Sequence, residues 1–490
     1  MDQKNLSNIK LTPSQERVLK SILDFVNESA DRIFILKGYA GTGKTTLMRF
    51  LIQELDKIKK DYRLLASTGR AAKVLANLSN RNGSTSTIHS LVYSFNGLSK
   101  NYDDKEKPVV DKDGQLFLVF EPSKLDESEV PETIYIIDEA SMVSDVEVKD
   151  VTQAKFGDGR LLKELLDYDQ RAGSKFIFVG DPCQLPPIEE YYSPALIKDY
   201  FQDEFNLSAQ EAQLTEIMRQ DGASGIIDAS KQIRGLYNHA PNESSIYGSQ
   251  MLWGHLPFRQ FKDIKLHSNL EAMIDDYVNK IKSSGLNSAV CICRTNRACS
   301  QLSAVIREKL GFRCGNIQEG DLLMVIQNNM PTGLMNGDMV TIEELGPRTQ
   351  SRAGLTFREV NVKELFTQKR IKTLMIEEIV NQSRLNLDSA QQQALFIDFI
   401  MRMRDMGITQ KNARRFNHAM MNDPYLNALR CVYGYAITCH KSQGGEWEDV
   451  YVHVPRNITL NPTKETYQWM YTSMTRAKKT LHMIDDFFIK

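Results

Sequence analysis

Residues 32–55, RIFILKGYAGTGKTTLMRFLIQEL, decide the fold of the first part of the chain. A short β-rich run, RIFIL, leads into a glycine-rich loop, and a stretch with helical periodicity follows the loop directly. The loop, Gly38 to Thr45, matches the pattern G-x-x-x-x-G-K-[ST], in which backbone amides point at a phosphate and glycines allow its close approach. The positive end of the following helix favours the same negative charge. This order of strand, loop and helix predicts a nucleotide site.

The polar residues of the loop are expected to have separate tasks. Lys44 would reach the β- and γ-phosphates of a nucleotide, and Thr45 would bind Mg²⁺. The residues predicted to hold the nucleotide are Gly38, Gly41, Thr42, Gly43, Lys44, Thr45 and Thr46. A glycine-rich turn that binds nothing is the alternative, and the register of strand, loop, Lys-Thr and helix disfavours it.

A second apolar run, residues 133–142 with the sequence TIYIIDEASM, ends in the acidic pair Asp138-Glu139. A buried strand of this kind delivers carboxylates to its C-terminal edge, where open α/β sheets bind ligands. Asp138 is expected to hold Mg²⁺, and Glu139 to orient and deprotonate an attacking water. In isolation such residues are often helix caps, and the phosphate loop upstream favours catalysis.

Length and composition limit the architecture. A chain of 490 residues exceeds what one hydrophobic core organises, so several domains are expected. Lys and Arg number 61 against 62 Asp and Glu, so a nucleic-acid surface has to be a local groove. The seven cysteines show no paired metal-binding spacing, and no run is long and apolar enough for a membrane span. We expect a cytoplasmic protein without a membrane partner.

The order of predicted elements indicates two α/β units with parallel sheets, each interrupted by an insertion. The predicted first unit covers residues 1–94 and 132–213, and its insertion, a hairpin, covers 95–131. The predicted second unit covers residues 214–310 and 429–490. Its insertion, 311–428, begins with short strands like those of a small β-barrel and becomes helical from about residue 388.

A third strand, KFIFV at residues 175–179, leads into GDPCQLPP at 180–187, which resembles motif III of superfamily 1 helicases. Further segments resemble motifs of the same family, in the family's order along the chain. They are LTPSQ (11–15, Q motif), STGRAA (67–72, motif Ia), TIHS (87–90), LTEIMRQ (214–220, motif IV), YAITCHKSQG (435–444, motif V) and YTSMTRA (471–477, motif VI). The chain thus resembles superfamily 1 helicases of the RecD-like and phage Dda-like type over nearly its whole length.

The resemblance implies two RecA-like phosphate-loop domains, a hairpin inserted in the first and an SH3-like barrel with helices inserted in the second. It implies ATP and Mg²⁺ as cofactors. Gln15 would read the adenine edge, Gln184 would sense the γ-phosphate and Arg219 would contact a phosphate. Arg476, from the second domain, would stabilise charge on the γ-phosphate, so that nucleotide binding closes the cleft between the domains.

The same resemblance implies a single-strand groove across both domains, with phosphate contacts from threonines, a histidine and backbone amides. The residues predicted to line it are Thr68, Arg70, His89, Thr438, His440 and Lys441. Both histidines have a structural alternative as buried hydrogen-bonding groups, and Thr438 has one as a strand-end hydroxyl. In the hairpin, Leu116, Phe117 and Phe120 are candidates to stack on the terminal base pair, or to form the small core of an acidic flap.

Three functions remain open at this point. The first is an ATP-dependent DNA helicase of replication, recombination or repair, moving 5′ to 3′ by family analogy. Its partners would be single-stranded DNA, single-strand/duplex junctions and single-strand-binding, replication or recombination proteins, and it would act as a monomer. The second is an RNA helicase or ribonucleoprotein remodeller, and the third an ATP-gated clamp that binds DNA without unwinding it. A nuclease is not expected, because no separate carboxylate cluster has metal-binding spacing.

Overall fold

A computed structural model describes most of the chain. The described residues are 10–79, 84–98, 101–102, 108–109, 117–126, 130–148, 154–217, 224–240, 256, 258–348, 351–456 and 462–490. Within these ranges, no helix is both long and apolar enough to cross a membrane.

The first part of the chain forms a six-stranded, wholly parallel sheet. Its strands, in spatial order, are Ala209–Leu214, Ile33–Gly38, Lys175–Gly180, Thr133–Asp138, Asp61–Ala66 and Thr85–Thr87. Alternate residues of each central strand face opposite sides, as Phe34 and Ile35 do, so both faces of the sheet are buried. One face packs on the helices Pro13–Glu28, Lys44–Lys57 and Gly69–Ala76, and the other on Ile88–Val92, Leu161–Tyr168 and Lys198–Phe205.

The later part of the chain forms a second parallel sheet of five strands. They run in the order Ile264–His267, Ala477–Ile484, Trp447–Val452, Ala289–Cys293 and Ala436–Thr438. The helices Gly225–His239 and Lys464–Met474 cover one face, and Leu270–Ser284 and Asn296–Leu310 cover the other. The predicted α/β class with two parallel sheets is confirmed.

A third, antiparallel sheet occupies the predicted insertion of the second unit. Its strands are Arg370–Ile376, Phe357–Glu364, Met339–Arg348, Leu322–Val325 and Cys431–Tyr433, the last just beyond the predicted boundary at residue 428. Leu429 N–H donates to Leu374 O (2.7 Å) and Ile376 N–H to Leu429 O (3.1 Å), so the sheet curls until its two edges meet. Three helices complete this region, Glu377–Asn381, Ser389–Asp405 and Ala413–Asn422.

A small sheet stands where the hairpin was predicted. Strands Tyr93–Leu98 and Leu118–Pro122 pair antiparallel, Ala154–Phe156 joins them, and a two-stranded ribbon pairs Asn101–Tyr102 with Pro108–Val109. Phe120 is only 8% exposed, and its ring stacks on Phe156 at 4.6 Å between centroids. Of the two alternatives for Phe120, the burial favours a place in the small core of the flap over a stacking role at the tip. Leu116 lies outside the described residues.

The remaining short elements are the helix Cys439–Ser442 and the 3₁₀ turns Ala140–Met142, Pro194–Leu196 and Phe258–Gln260. The Cys439–Ser442 turn matters for the site, because it directly follows the edge strand Ala436–Thr438 of the second sheet.

Candidate active site

Three neighbouring strands of the first sheet carry the candidate nucleotide site at their carboxyl ends. Ile33–Gly38 pairs with Lys175–Gly180, which pairs with Thr133–Asp138, and all three are parallel. Parallel strands end at the same edge of a sheet, so the glycine-rich loop, Asp181 and Asp138 come together although they are far apart in sequence.

The loop has the geometry that close approach to a phosphate needs. Gly41 and Gly43 have φ angles of +77° and +79°, in the left-handed region that other residues seldom adopt. A Cβ added at Gly38 would lie 2.8 Å from Lys44 Cγ. The helix Lys44–Lys57 starts at the end of the loop, so its free N–H groups face the same space.

Lys44 lies at the mouth of this loop. Its Nζ donates to the carbonyl oxygens of Gly38 (2.6 Å) and Tyr39 (3.1 Å) and lies 4.0 Å from Asp181 Oδ2. Asp181 is fully buried beside this cation. The sequence interpretation gave no role to Asp181, and its position directly after a buried strand, in Gly180-Asp181-Pro182, was the available signal.

Asp138 and Glu139 end the adjacent strand, as predicted. Burial, and then the charge of Glu139, raise the pKa of Asp138 to about 7, while Lys44 acts in the opposite direction. Glu139 has a φ of +51°, a left-handed conformation that is costly for a residue with a side chain. The chain therefore turns at Glu139, directly after the strand that ends at Asp138. The cradle of glycines, the ammonium group and the carboxylates fit a nucleoside triphosphate with its divalent cation.

Gln15 supports the loop from the side of the first helix. Its Nε2 donates to Thr42 O (3.0 Å), and its Oε1 accepts from Thr12 N–H (3.1 Å) in a capping box. The side chain is buried, so it fixes the loop to the helix Pro13–Glu28. Its predicted contact with adenine stays a prediction.

Arg476 enters the site from the second sheet. Its Nη1 lies 4.0 Å from Glu139 Oε1, and its guanidinium also donates to Thr472 O (3.1 Å) and Gly445 O (3.4 Å). The arginine is 6% exposed. The structure thus brings together the predicted general base and the predicted arginine, whose role at the γ-phosphate stays a prediction.

Tyr471 joins the two halves of the site, and sequence reasoning gave it no role. Its hydroxyl accepts from Ala40 N–H of the loop (2.8 Å) and donates to Asp181 Oδ2 (2.7 Å). At the next position, Thr472 Oγ1 accepts from Leu185 N–H (2.9 Å). Every residue from Thr466 to Met474 is buried, an unusual pattern for a helix, because this helix is covered by its own sheet and by the first domain.

Gln184 lies within this contact. The side chain is 3% exposed, and its Oε1 has no hydrogen-bond partner among the described residues. Its backbone carbonyl accepts from Gln468 Nε2 (3.2 Å), and the next carbonyl, of Leu185, accepts from Gln443 Nε2 (3.2 Å). The segment predicted to sense the γ-phosphate is therefore held by two glutamines of the second half.

Part of the predicted strand groove converges between the two sheets. Thr68 caps the helix Gly69–Ala76, and a Cβ added at Gly444 would lie 3.3 Å from its Oγ1. Thr438 and Lys441 line a cleft together with Asn296 and Ser300 of a neighbouring helix, and sequence reasoning missed these last two. Burial lowers the pKa of Lys441, and its Nζ donates to Asn336 Oδ1 (2.6 Å).

Arg70 differs from the expectation. Its guanidinium carbon lies 4.2 Å from the ring centroid of Trp447, and burial lowers its pKa to about 10 although Asp338 and Glu364 act in the opposite direction. Arg70 therefore lies in a stacking contact between the first and second domains. The loop around Gly445, in the second domain, also packs against its guanidinium. A strand contact by Arg70 has no support from these positions.

The two histidines differ in their surroundings. His89 packs against Tyr93 and Phe156, and burial lowers its pKa to about 4, so it is neutral at pH 7. Burial also lowers the pKa of His440, against the charge of Glu465. A neutral imidazole can hydrogen-bond a phosphate but not neutralise it. Arg219 lies outside the described residues, so its predicted contact has no structural account.

Comparisons with known families match both halves of the chain. A family model described as an AAA domain matches residues 10–242, and one described as a UvrD-like helicase C-terminal domain matches residues 433–484. The first range contains the six-stranded sheet with its loop, and the second contains Arg476 and Tyr471.

Individual relatives extend this similarity. An uncharacterised protein of Acanthamoeba polyphaga mimivirus is 24% identical over 95% of this chain and 98% of its own length. The ATP-dependent DNA helicase Dda of Enterobacteria phage T4 is 25% identical over 68% of this chain and 64% of its own length. The crystal structure of a Bacteroides Pif1 helicase with ADP-AlF3 and single-stranded DNA has a TM-score of 0.50 and 18% identity, covering 99% of this chain and 94% of that one. That likeness shows a shared fold.

Proposed function

We propose that this chain, as a superfamily 1 helicase of the RecD-like and Dda-like kind, couples ATP hydrolysis to movement along DNA and to unwinding of the duplex. The observation that carries the proposal is the contact of one helix, Lys464–Met474, with the phosphate loop and with the segment after the third strand. Any change at the nucleotide is thereby passed to the second domain.

The residues of the loop and of the acidic pair would divide the chemistry. Lys44 and the loop amides neutralise the triphosphate, and Thr45 and Asp138 hold Mg²⁺, which supplies charge neutralisation when bound. Glu139 orients the water and accepts its proton. Arg476 approaches Glu139 from the other domain and would stabilise the charge that develops on the γ-phosphate; such an arginine is worth about 10³ to 10⁵ in rate.

The interface residues would turn this chemistry into motion. Tyr471 contacts the phosphate loop and Thr472 contacts Leu185, and both belong to a helix of the second domain. The loss of the γ-phosphate would therefore weaken the attraction that holds the domains closed. Thr68 lies beside Gly444, so the same closure changes the spacing between the two sides of the strand groove. A cycle of closing and opening then advances the strand, as phosphate contacts are made and broken in turn.

We further propose a 5′ to 3′ direction, a substrate with a single-stranded 5′ tail next to a duplex, and action in the cytoplasm as a monomer. The family resemblance supports these points. The alternatives are a motor on RNA and an ATP-gated clamp that binds DNA without separating its strands. A neutral, partly buried His89 can hydrogen-bond a strand phosphate but not neutralise it, and this does not distinguish ribose from deoxyribose.

The test is unwinding of fluorescent forked DNA with either a 5′ or a 3′ single-stranded tail, in the presence of ATP and Mg²⁺. Wild type is compared with Lys44→Ala, and Lys57→Ala is the matched control, because Lys57 lies at the exposed end of the same helix. We expect unwinding of the 5′-tailed fork only, its loss in Lys44→Ala, and no effect of Lys57→Ala.

Other outcomes separate the parts of the proposal. Unwinding of the 3′-tailed fork alone would contradict the direction and leave the helicase assignment. DNA-stimulated hydrolysis without unwinding of either fork would favour a clamp, and a preference for the matching RNA substrates would favour an RNA motor. Equal activity of Lys44→Ala and wild type would overturn the nucleotide site itself.

A further inference from the structure

A cluster of two histidines and an aspartate lies in the second domain, apart from the residues of the proposed motor. His267 ends the edge strand Ile264–His267, His482 belongs to the adjacent strand Ala477–Ile484, and Asp276 lies on the helix Leu270–Ser284. One nitrogen of each histidine and one carboxylate oxygen all lie within 4.8 Å of one another. Sequence analysis gave none of these residues a role.

The spacing of the three donor atoms suits a transition-metal ion. His267 Nε2 and His482 Nδ1 are 3.1 Å apart, and His482 Nδ1 and Asp276 Oδ2 are 3.3 Å apart. Zinc binds imidazole nitrogen and carboxylate oxygen at about 2.0–2.2 Å in a tetrahedral arrangement, which puts neighbouring ligand atoms roughly 3.3 Å apart. The ligand atoms therefore already have the separation that a shared ion requires.

The cluster has an electrostatic conflict that a cation would remove. A neutral imidazole keeps a lone pair on one ring nitrogen, and this is the form in which a histidine binds a metal ion. His482 Nδ1 faces the Asp276 carboxylate at 3.3 Å, so a lone pair on this nitrogen lies opposite a carboxylate oxygen. A proton on His267 Nε2 can be donated to His482 Nδ1. His482 Nδ1 and the Asp276 carboxylate oxygen then still face each other as two acceptors, and a cation between them would remove this conflict.

The groups around the cluster hold its members in ligand geometry. His482 Nε2 lies 3.4 Å from Asp449 Oδ1, so the tautomer with its proton on Nε2 directs that proton at this carboxylate and keeps the Nδ1 lone pair for an ion. Lys280 pairs with Asp449, and Tyr451 donates to Asp276 Oδ2 (2.6 Å) and stacks on His482 at 4.0 Å between centroids. A carboxylate behind a ligating histidine and a hydrogen bond to a ligating carboxylate are typical of metal sites.

The cluster is partly open to solvent, so an ion can reach it. The His482 side chain is 1% exposed, whereas Asp276 is 40% exposed. Residues that alternate with His482 along its strand, Leu481 and Met483, face the opposite side of the sheet, toward the helix Lys464–Met474. The cluster therefore lies on the face of the sheet away from the helix that carries Tyr471.

We propose that His267, His482 and Asp276 bind one divalent transition-metal ion of the zinc class, with a solvent molecule in the remaining position. The ion has a structural role, because it ties the edge strand Ile264–His267 and the helix Leu270–Ser284 to the strand Ala477–Ile484, which follows Arg476 directly. Binding requires His267 to carry its proton on Nδ1, so that Nε2 is a ligand. This inference is independent of the proposed function.

The experiment is a titration of chelator-treated, nucleotide-free protein with Co²⁺, followed by its visible absorption, in a Cys314→Ser background that removes the exposed thiol. The variants are His267→Ala and Asp276→Ala, since both residues are partly exposed and their loss should leave the fold intact. His239→Ala is the control, because its exposed ring contacts the carbonyl of Gly235 in its own helix. We expect one equivalent of Co²⁺, and at least about a tenfold weaker affinity in both variants but not in the control.

A second measurement distinguishes metal binding from a cluster that is held together by hydrogen bonds alone. Zn²⁺ should raise the Tm of the wild type and of His239→Ala and leave that of His267→Ala unchanged. A hydrogen-bonded cluster without a metal would lower the Tm of His267→Ala with or without Zn²⁺ and show no visible Co²⁺ spectrum. That result, or equal Co²⁺ binding by wild type and His267→Ala, would overturn the proposal.

Discussion

At the scale of single residues, Tyr471 is the side chain through which the second domain contacts the phosphate loop. Its hydroxyl has both of its hydrogen-bonding roles occupied, as acceptor from Ala40 and donor to Asp181. The phenol is buried, and its pKa lies well above its usual value because of burial and then the charge of Asp181. Removal of one oxygen atom therefore removes both contacts and leaves the Asp181 carboxylate short of a donor.

We expect Tyr471→Phe to lower stability and to weaken the coupling between nucleotide and DNA. Leaving a buried acceptor unsatisfied costs about 1–3 kcal/mol, and a loss of that size lowers Tm by roughly 2–10 °C in a domain of this size. Tyr433→Phe is the control, since the Tyr433 hydroxyl has no hydrogen-bond partner among the described residues. Thermal unfolding and DNA-stimulated ATPase rates are measured side by side, and an unchanged stimulation in Tyr471→Phe would contradict a coupling role.

The raised pKa of Asp138 gives a pH dependence with a definite sign. Because burial and Glu139 raise this pKa to about 7, the carboxyl is largely protonated at pH 6 and ionised at pH 8. A cation bound by Asp138 has to displace the proton below that pKa, so the apparent Mg²⁺ affinity should fall by up to about tenfold per pH unit below pH 7. In Asp138→Asn this dependence should vanish.

The measurement is Mg²⁺ titration of a bound fluorescent ATP analogue in the non-hydrolysing Glu139→Gln background, at pH values from 5.5 to 8.5. Removal of the Glu139 charge takes away the second cause of the raised pKa, so the midpoint in this background should lie below that of wild type with a non-hydrolysable analogue. A pH-independent Mg²⁺ affinity in wild type would rule Asp138 out as the titrating ligand.

At the scale of elements, the hairpin sheet is held by the helical part of the second insertion. Phe95, Leu98 and Leu118 pack into the same apolar cluster as Phe399 and Phe416. Asn417 Nδ2 donates to Asn96 O (3.1 Å). The hairpin and the helices Ser389–Asp405 and Ala413–Asn422 are far apart in the chain, so their joint position depends on this cluster.

We expect Phe95→Ala to loosen the hairpin against the helices and to separate unwinding from hydrolysis. Phe95 also contacts Phe120 at 5.4 Å between centroids, so its loss weakens both sides of the contact. A coupling loss of about 1 kcal/mol corresponds to roughly a fivefold slower unwinding, while ATPase on single-stranded DNA should stay near that of wild type. Phe366→Ala, which changes an exposed residue of the second insertion, is the control. An equal drop of both rates in Phe95→Ala would count against a role of the hairpin in strand separation.

At the scale of the whole molecule, side chains from both parallel domains meet around the cleft. Arg476 reaches Glu139, two glutamines hold the segment after Asp181, and Arg70 stacks on Trp447. The insertion adds a further connection, because Lys73 of the first domain pairs with Asp338 (2.6 Å), two residues from the Asn336 that binds Lys441. Closure is therefore distributed over several contacts, and each should change when the domains move.

Arg70→Ala tests whether this arginine belongs to the domain contact or to the strand groove. Trp447 is 4% exposed beneath Arg70, so opening of the domains should shift its emission to the red. Without DNA, we expect nucleotide to change the tryptophan emission of the wild type, and we expect Trp447→Phe to lose this change. In Arg70→Ala the change should be smaller, because a buried cation–π contact contributes about 2 kcal/mol to the closed state. Arg17→Ala, on the surface of the first helix, is the control.

A role of Arg70 in DNA binding would give a different result. If Arg70 contacts the DNA backbone, Arg70→Ala leaves the emission change of the free protein intact and weakens single-strand binding, with a smaller dependence on salt concentration. The two outcomes decide between the position seen in the structure and the role that the family motif predicts.

The sequence by itself determined the features that depend on local spacing. Glycines, Lys44 and the following helix are contiguous, so their geometry follows from the order of residues, and Asp138 follows a buried strand in the same way. The alternation of strands and helices was likewise sufficient for two parallel sheets, because hydrophobic periodicity is a property of neighbouring positions. The family motifs, which occur in the expected order along the chain, indicated the resemblance to superfamily 1 helicases.

Only the tertiary structure decided what depends on residues far apart in the chain. Tyr471 meets Ala40 across 431 positions, Arg70 stacks on Trp447, and Phe120 stacks on Phe156 in a small aromatic core. His267, Asp276 and His482 have no recognisable spacing, and a strand pairing together with one helix crossing brings them together. Such contacts are set by the packing of whole elements, which local periodicity does not encode.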